Sequence, residues 1–197
     1  MSPSSKPFTK PIQRVKLNLA VTRLAQELDV FVAGPFIDKN WTAEELVKQS
    51  AATRARLAVK DFIESDLQHR VVLGEHRGVD EIGSSAFGDH TSFAIAELAL
   101  VRECEAIVIF PSSVGSFCEL GAWSLSEHIC RKMLIIPEKK FENEVSYLNI
   151  GTLRMAASNG ASIIWRDLED LESIMGDVRR FVGFAHDRAM VRSVTRD

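Results

Sequence analysis

EAIVIF, Glu105 to Phe110, runs straight into PSSVGSFCELGAWS, Pro111 to Ser124. The first stretch is of strand length and apolar after its opening acid. The second is a turn of Pro, Ser and Gly that opens a helix. A strand apolar at every position is buried on both faces, which marks a parallel sheet covered by helices. The same signature recurs in DVFVAGPF (Asp29 to Phe36), VVLGEH (Val71 to His76), KMLIIPE (Lys132 to Glu138) and GASIIW (Gly160 to Trp165).

Helical patterns fill the intervals. Thr42 and Glu45 form a capping-box pattern at the head of a helix expected to continue to about Gln68. TSFAIAELALVRE predicts a helix over 91–103, and further helices are expected over 146–158 and from Asp167 to His186. Leu17, Val21, Leu24 and Leu28 add an amphipathic helix before the first strand. Five strands alternating with helices predict an α/β domain: one doubly wound, five-stranded parallel sheet, flavodoxin- or Rossmann-like, with helices on both faces. Residues 1–12 read as a disordered leader of Ser, Pro and Lys, 13–190 as the domain and 191–197 as a tail.

Composition narrows the function. With 46% hydrophobic and 26% charged residues the chain is an ordinary globular protein. A net charge of −3 gives no reason to expect a nucleic-acid backbone or an anionic membrane as partner. No apolar run is long enough to span a bilayer. Cys104, Cys118 and Cys130 form no CxxC pair, and the five histidines do not join them at ligand spacing. A reduced, cytoplasmic setting with neither metal nor cofactor is expected.

Open parallel sheets bind ligands beyond the carboxyl ends of their strands, where the strand order reverses. For the order 2-1-3-4-5 this crevice lies between the turns that leave the first and third strands. Those turns supply Gly34, Pro35, Phe36 and Asp38 on one side and Ser112, Ser113, Gly115 and Ser116 on the other. A helix start offers N–H donors to an anion, the serines add hydroxyls, and Gly115 allows close approach. At about 100° per residue, Phe117, Leu120, Gly121, Ser124, Leu125 and His128 fall on the face expected to pack on the sheet. Glu119 and Trp123 share the other side, where an acid beside an indole suits a sugar or a base.

Glu119 has two readings at this level. Ser116-Phe-Cys-Glu119 matches S-x-x-E, so its carboxylate could return a hydrogen bond to the Ser116 N–H, or it could carry a reaction. Asp89 and His90, at the end of a long Gly-rich connection, are an acid/base pair or a helix cap. Tyr147 and Asn149 cap a helix or reach the crevice. Trp41 and Trp165 are assigned to core or interface. Arg54, Arg56 and Lys60 are read as a solvated helix face.

Two of these stretches carry a family resemblance. VFVAGPF resembles the first strand and turn of nucleoside 2-deoxyribosyltransferases. VGSFCELGAWS resembles their second signature, in which a glutamate follows a Gly-Thr or Gly-Ser pair at the spacing seen here. EAIVIFPSSVGSFCE also resembles the corresponding stretch of lonely-guy-type phosphoribohydrolases. Both families have a Rossmann-like fold and act at an N-glycosidic bond, and related domains serve as effectors in bacterial anti-phage systems, retrons among them.

The resemblance implies that Glu119 is the nucleophile or charge stabiliser against the sugar C1′. Asp89, His90, Glu75 and Asp38 are then candidates for proton transfer or for holding ribose hydroxyls. It implies a nucleoside, nucleotide or NAD-like substrate and a homo-oligomer, dimer or larger, since such sites are often completed across a subunit boundary. The competing reading is a non-catalytic nucleotide sensor or partner-binding subunit of the same fold. Two departures from the family patterns stand out. Ser113 replaces the aspartate of the transferase pattern, and Ser112-Ser113 replaces the Gly-Gly of the hydrolase pattern.

Overall fold

The structure is a computed structural model that describes residues 27–38, 40–75 and 92–195. The leader, the helix expected around Leu17 and the Asp89–His90 pair lie outside the described residues.

The apolar runs form one parallel sheet. Its strands are β1 (Asp29–Ala33), β2 (Arg70–Val72), β3 (Ala106–Ile109), β4 (Met133–Ile135) and β5 (Ser162–Ile163), in the order β2-β1-β3-β4-β5. The fold is therefore α/β and Rossmann-like, as the alternation predicts, and the order reverses between β1 and β3. The helices are α1 (Ala43–Val47), α2 (Ala51–Ser65), α3 (Phe93–Glu103), α4 (Val114–Trp123), α5 (Glu127–Cys130), α6 (Arg154–Ser158) and α7 (Leu171–Thr195). A π-type turn, Leu148–Leu153, leads into α6.

Side chains alternate across each strand, so one strand serves two cores. Val30, Val32, Val108 and Leu134 pack with α2 and α7, whereas Phe31, Ile107, Ile109 and Ile135 pack with α3, α4, α5 and α6. Both layers are closed: Phe31, Val32, Ile107 and Ile135 are fully buried. Among the described residues no helix is long and apolar enough to cross a membrane.

Two local expectations are corrected. The helix expected from Thr42 to Gln68 is two helices. Thr42 and Glu45 do form their reciprocal capping box at the head of α1, but α1 ends at Val47 and Ser50 caps a second start. The Thr53 N–H donates to Ser50 Oγ at 3.1 Å, a bond that a mid-helix serine could not make.

The packed face of α4 is also different. Ser116, Leu120 and Trp123 are its buried residues, whereas Phe117 and Leu125 are exposed. Because α4 stops at Trp123, Ser124, Leu125 and His128 do not continue its helical wheel. The indole lies edge-on to Phe31, with centroids 5.7 Å apart, and fills the core under the sheet.

Candidate functional site

β1, β2 and β3 deliver their carboxyl ends to a cavity of about 430 Å³. Gly34, at φ +152°, turns the chain out of β1. A Cβ there would lie 3.0 Å from Arg56 Cδ and 3.2 Å from the Phe110 carbonyl oxygen, so only glycine lets the arginine close on the strand end.

Arg56 is the hub of the site. It stands on the apolar stripe of α2 beside Ala52, Ala55, Val59 and Ile63 and is only 2% exposed. Its Nε and Nη2 donate to the Val32 carbonyl at 3.2 and 2.7 Å, and its Nη1 donates to Gly34 and Pro35 carbonyls at 3.2 and 2.6 Å. Both terminal nitrogens also donate to the Glu75 carboxylate, with Nη2 2.8 Å from Oε2. A planar five-donor fork can satisfy so many acceptors at once, and an ammonium could not. The solvated-face reading of Arg56 is therefore corrected. Arg54 and Lys60 are only partly exposed, and both are ion-paired, with Glu169 and with Asp61 and Glu64.

Two further carboxylates face the hub. Glu119 lines the cavity from α4, and its Oε2 is buried without a hydrogen-bond partner among the described residues. Burial raises its carboxyl above the usual range; the Arg56 charge opposes this and Glu75 adds to it. Glu119 is not bonded back to Ser116. The cap of α4 is Ser113, whose hydroxyl accepts from the Ser116 N–H at 3.2 Å, so the S-x-x-E capping reading is overturned.

Glu97, from α3, is 6% exposed and lines the same cavity. A Cβ on Gly74 would stand 2.4 Å from its Oε1, so the glycine after β2 makes room for this carboxyl. Burial, then the charges of Glu119 and Glu75, push it up to about 7 from an ordinary 4.5, against the pull of Arg56.

Of the residues that the sequence proposes, Gly34, Phe36, Glu75, Ser113, Gly115 and Glu119 line the cavity. Phe36 is largely exposed and meets Trp41 edge-on at 6.2 Å, forming an aromatic rim. Glu75 is held by Arg56, so it stabilises the hub and is not free to bind a sugar. Ser116 is fully buried: its Oγ accepts from the Ser112 and Ser113 N–H groups at 3.0 and 2.9 Å and donates to the Ser113 carbonyl at 3.0 Å. It ties the turn together and does not reach a ligand.

Ser112, Pro35 and Asp38 are near the turns but off the cavity lining. Asp38 accepts from the backbone and side-chain nitrogens of Asn40 at 2.9 and 3.1 Å. Trp123 faces the core. Asn149 donates to the Phe141 and Glu144 carbonyls at 2.8 and 2.7 Å, which makes it a loop clamp, and Tyr147 is 84% exposed away from the cavity.

Arg56 and Glu97 are the functional candidates that the sequence reading missed. Their shared signal is a charge at an apolar-stripe position. Glu97 is the lone acid in AIAELAL, as Arg56 is the lone base on its buried stripe.

Comparison with known proteins adds an independent line. A 68-residue stretch is 37% identical to the proposed ribosyltransferase/DNA-binding protein of retron Ec86 from Escherichia coli, covering 34% of this chain and 22% of that protein. An 82-residue stretch is 32% identical to its counterpart of retron Ec73, also from Escherichia coli, covering 40% of this chain and 26% of the relative. The matches thus span about a quarter of each relative's length. The profile of the STM3845 retron effector proteins matches residues 52–191, from the first turn of α2 through most of α7. That span holds Arg56, Glu75, Glu97 and Glu119 together, and the chain belongs to the STM3845 retron effector protein family.

Proposed function

We propose that this chain is an N-glycosidic-bond enzyme of a bacterial defence system, acting on a nucleoside, nucleotide or NAD-like substrate with Glu119 against the sugar C1′. One observation carries the reading. A buried carboxylate oxygen without a hydrogen-bond partner among the described residues, at the carboxyl mouth of a parallel sheet, is set to meet charge brought by a ligand.

Cleaving the bond between sugar and base builds positive charge on C1′ and the ring oxygen. A carboxylate there stabilises that charge or bonds to C1′, and water or a second base completes hydrolysis or transfer. Phe36 and Phe93, both at least half exposed on the cavity lining, offer faces to the base. Family membership and the ribosyltransferase names of the relatives support the same class of chemistry.

The test is incubation of purified protein with nucleosides, nucleoside monophosphates and NAD, with chromatography for free base and Glu119→Gln alongside. Base released by wild type and lost in the variant supports the reading. Nucleotide binding without release supports a second one, a nucleotide sensor. It is favoured by Ser113, whose hydroxyl serves the helix cap where the transferase pattern has a carboxylate. A homo-oligomer belongs to the same proposal, and a monomer in light scattering at micromolar concentration counts against it.

A further inference from the structure

Among the described residues the mouth holds one guanidinium and three carboxylates, and the charges of these four groups bear on one another. Arg56 comes from α2, Glu75 from the end of β2, Glu97 from α3 and Glu119 from α4. The Arg56 charge is already matched by Glu75 in a two-pronged pair. Ionising both Glu97 and Glu119 would place two further negative charges in a poorly hydrated space, where like charges repel strongly. One carboxyl is therefore pushed to hold its proton up to about neutral pH, as in paired acids at catalytic sites. Glu97 is the member to keep it, because Glu119 and Glu75 both face it and its residue is 6% exposed.

We propose that Glu97 is the proton donor to the departing base, a role that rests on the N-glycosidic reading of this site. As the C1′–N bond breaks, its electron pair stays on the base nitrogen. The Glu97 O–H proton moves to the base, and the base leaves as a neutral molecule. Glu119 takes or shields C1′. Water then attacks C1′ and returns a proton to the Glu97 carboxylate, so the site ends as it began, with free base and free sugar as products. The division of labour is fixed by environment: the carboxyl packed against Gly74 holds the proton, and the one whose oxygen lacks a partner among the described residues meets the cation. A pyridinium base already leaves neutral and needs no such proton. The role therefore predicts a dependence on the leaving group.

The experiment compares wild type with Glu97→Gln on three probes: purine and pyrimidine nucleosides, a pyridinium nucleotide, and a 4-nitrophenyl riboside whose phenolate leaves unprotonated. The expected result is a loss of about 100-fold or more on the neutral-base nucleosides, the scale of general acid catalysis, with the other two probes reduced far less. The alkaline limb of the wild-type pH profile, near the Glu97 value of about 7, is lost in the variant.

Equal losses on all probes, an unchanged pH profile, or a wild type that cleaves pyridinium nucleotides alone overturns the role and leaves the glycosidic reading standing. A wild type that cleaves nothing removes both. Nuclear magnetic resonance of carbon-13-labelled glutamate gives a reading without substrate. Glu97 should titrate near neutrality, and lower once Glu119→Gln removes its neighbour's charge. Titration in the ordinary carboxylate range overturns the proposal.

Discussion

At the carboxyl ends of β1, β2 and β3 the chain gathers, among the described residues, three glutamates around one arginine. At the amino ends of β4 and β5 it lines a larger hollow, about 610 Å³, with Arg131, Arg188 and Arg192 beside Phe181 and Phe184. Size favours the second and chemistry the first. Arg131 is 71% exposed along its side chain and pairs with Glu127 one turn away, so water screens its charge. Arg56 carries the same group at 2% exposure and must be matched by strand carbonyls and a carboxylate. Burial turns a charge from a surface ornament into a constraint on every ionisable group nearby. The smaller hollow raises two carboxyls, whereas in the larger one burial and the Arg192 charge lower Arg188, a group that stays charged at neutral pH.

Variants at the two ends should separate accordingly. Glu119→Gln is expected to cost roughly 1,000-fold or more in base release, the scale of losing a group that stabilises transition-state charge. Unchanged stability in a thermal melt would assign the loss to chemistry. Arg56→Met should destabilise the fold by about 3 kcal/mol or more, since it strands Glu75 and three carbonyls, and urea denaturation reads it directly. An Arg56→Met protein as stable as wild type would erase the contrast between the two hollows.

Glu97→Gln should act in the opposite direction. Its folded-state value of about 7 lies above the ordinary 4.5, so the native protein binds the extra proton and loses stability as pH rises from about 4.5 to 7. The glutamine, which never ionises, should then be more stable than wild type above pH 7 by the order of 2–3 kcal/mol and indistinguishable near pH 4. Denaturation at both pH values checks this. The smallest effect is expected at the amino end: Arg192→Ala should change stability by less than about 0.5 kcal/mol and leave base release intact. A large loss of release there would link the two hollows.

The sheet was legible because each strand announces itself locally. AIVI and VFVA need no partner to be recognised as buried on both faces. The turns after them were legible for the same reason, and with them Gly34, Ser113, Gly115 and Glu119. Arg56 was not, because its acceptors lie 19 to 24 residues away in the chain and nothing in the α2 sequence names them. A lone charge on an apolar stripe is the available sign, and by itself it does not separate a buried hub from a solvated face. Trp123 failed for another reason. A wheel drawn through Leu125 and His128 runs past the helix end at Trp123, and that rotates the inferred face enough to turn a core indole outward.

Arg56 also bears on how the molecule comes apart. Its partners, Val32, Gly34, Pro35 and Glu75, are brought within reach only after β1, α2 and β2 have docked as one βαβ unit. Any excursion that detaches β2 hydrates the guanidinium, frees Glu75 and dissolves the field that holds a proton on Glu97. The mouth cannot persist once that unit opens. In hydrogen exchange, β1 and β2 should therefore report one shared opening free energy, and the mouth's proton affinity should vanish with it.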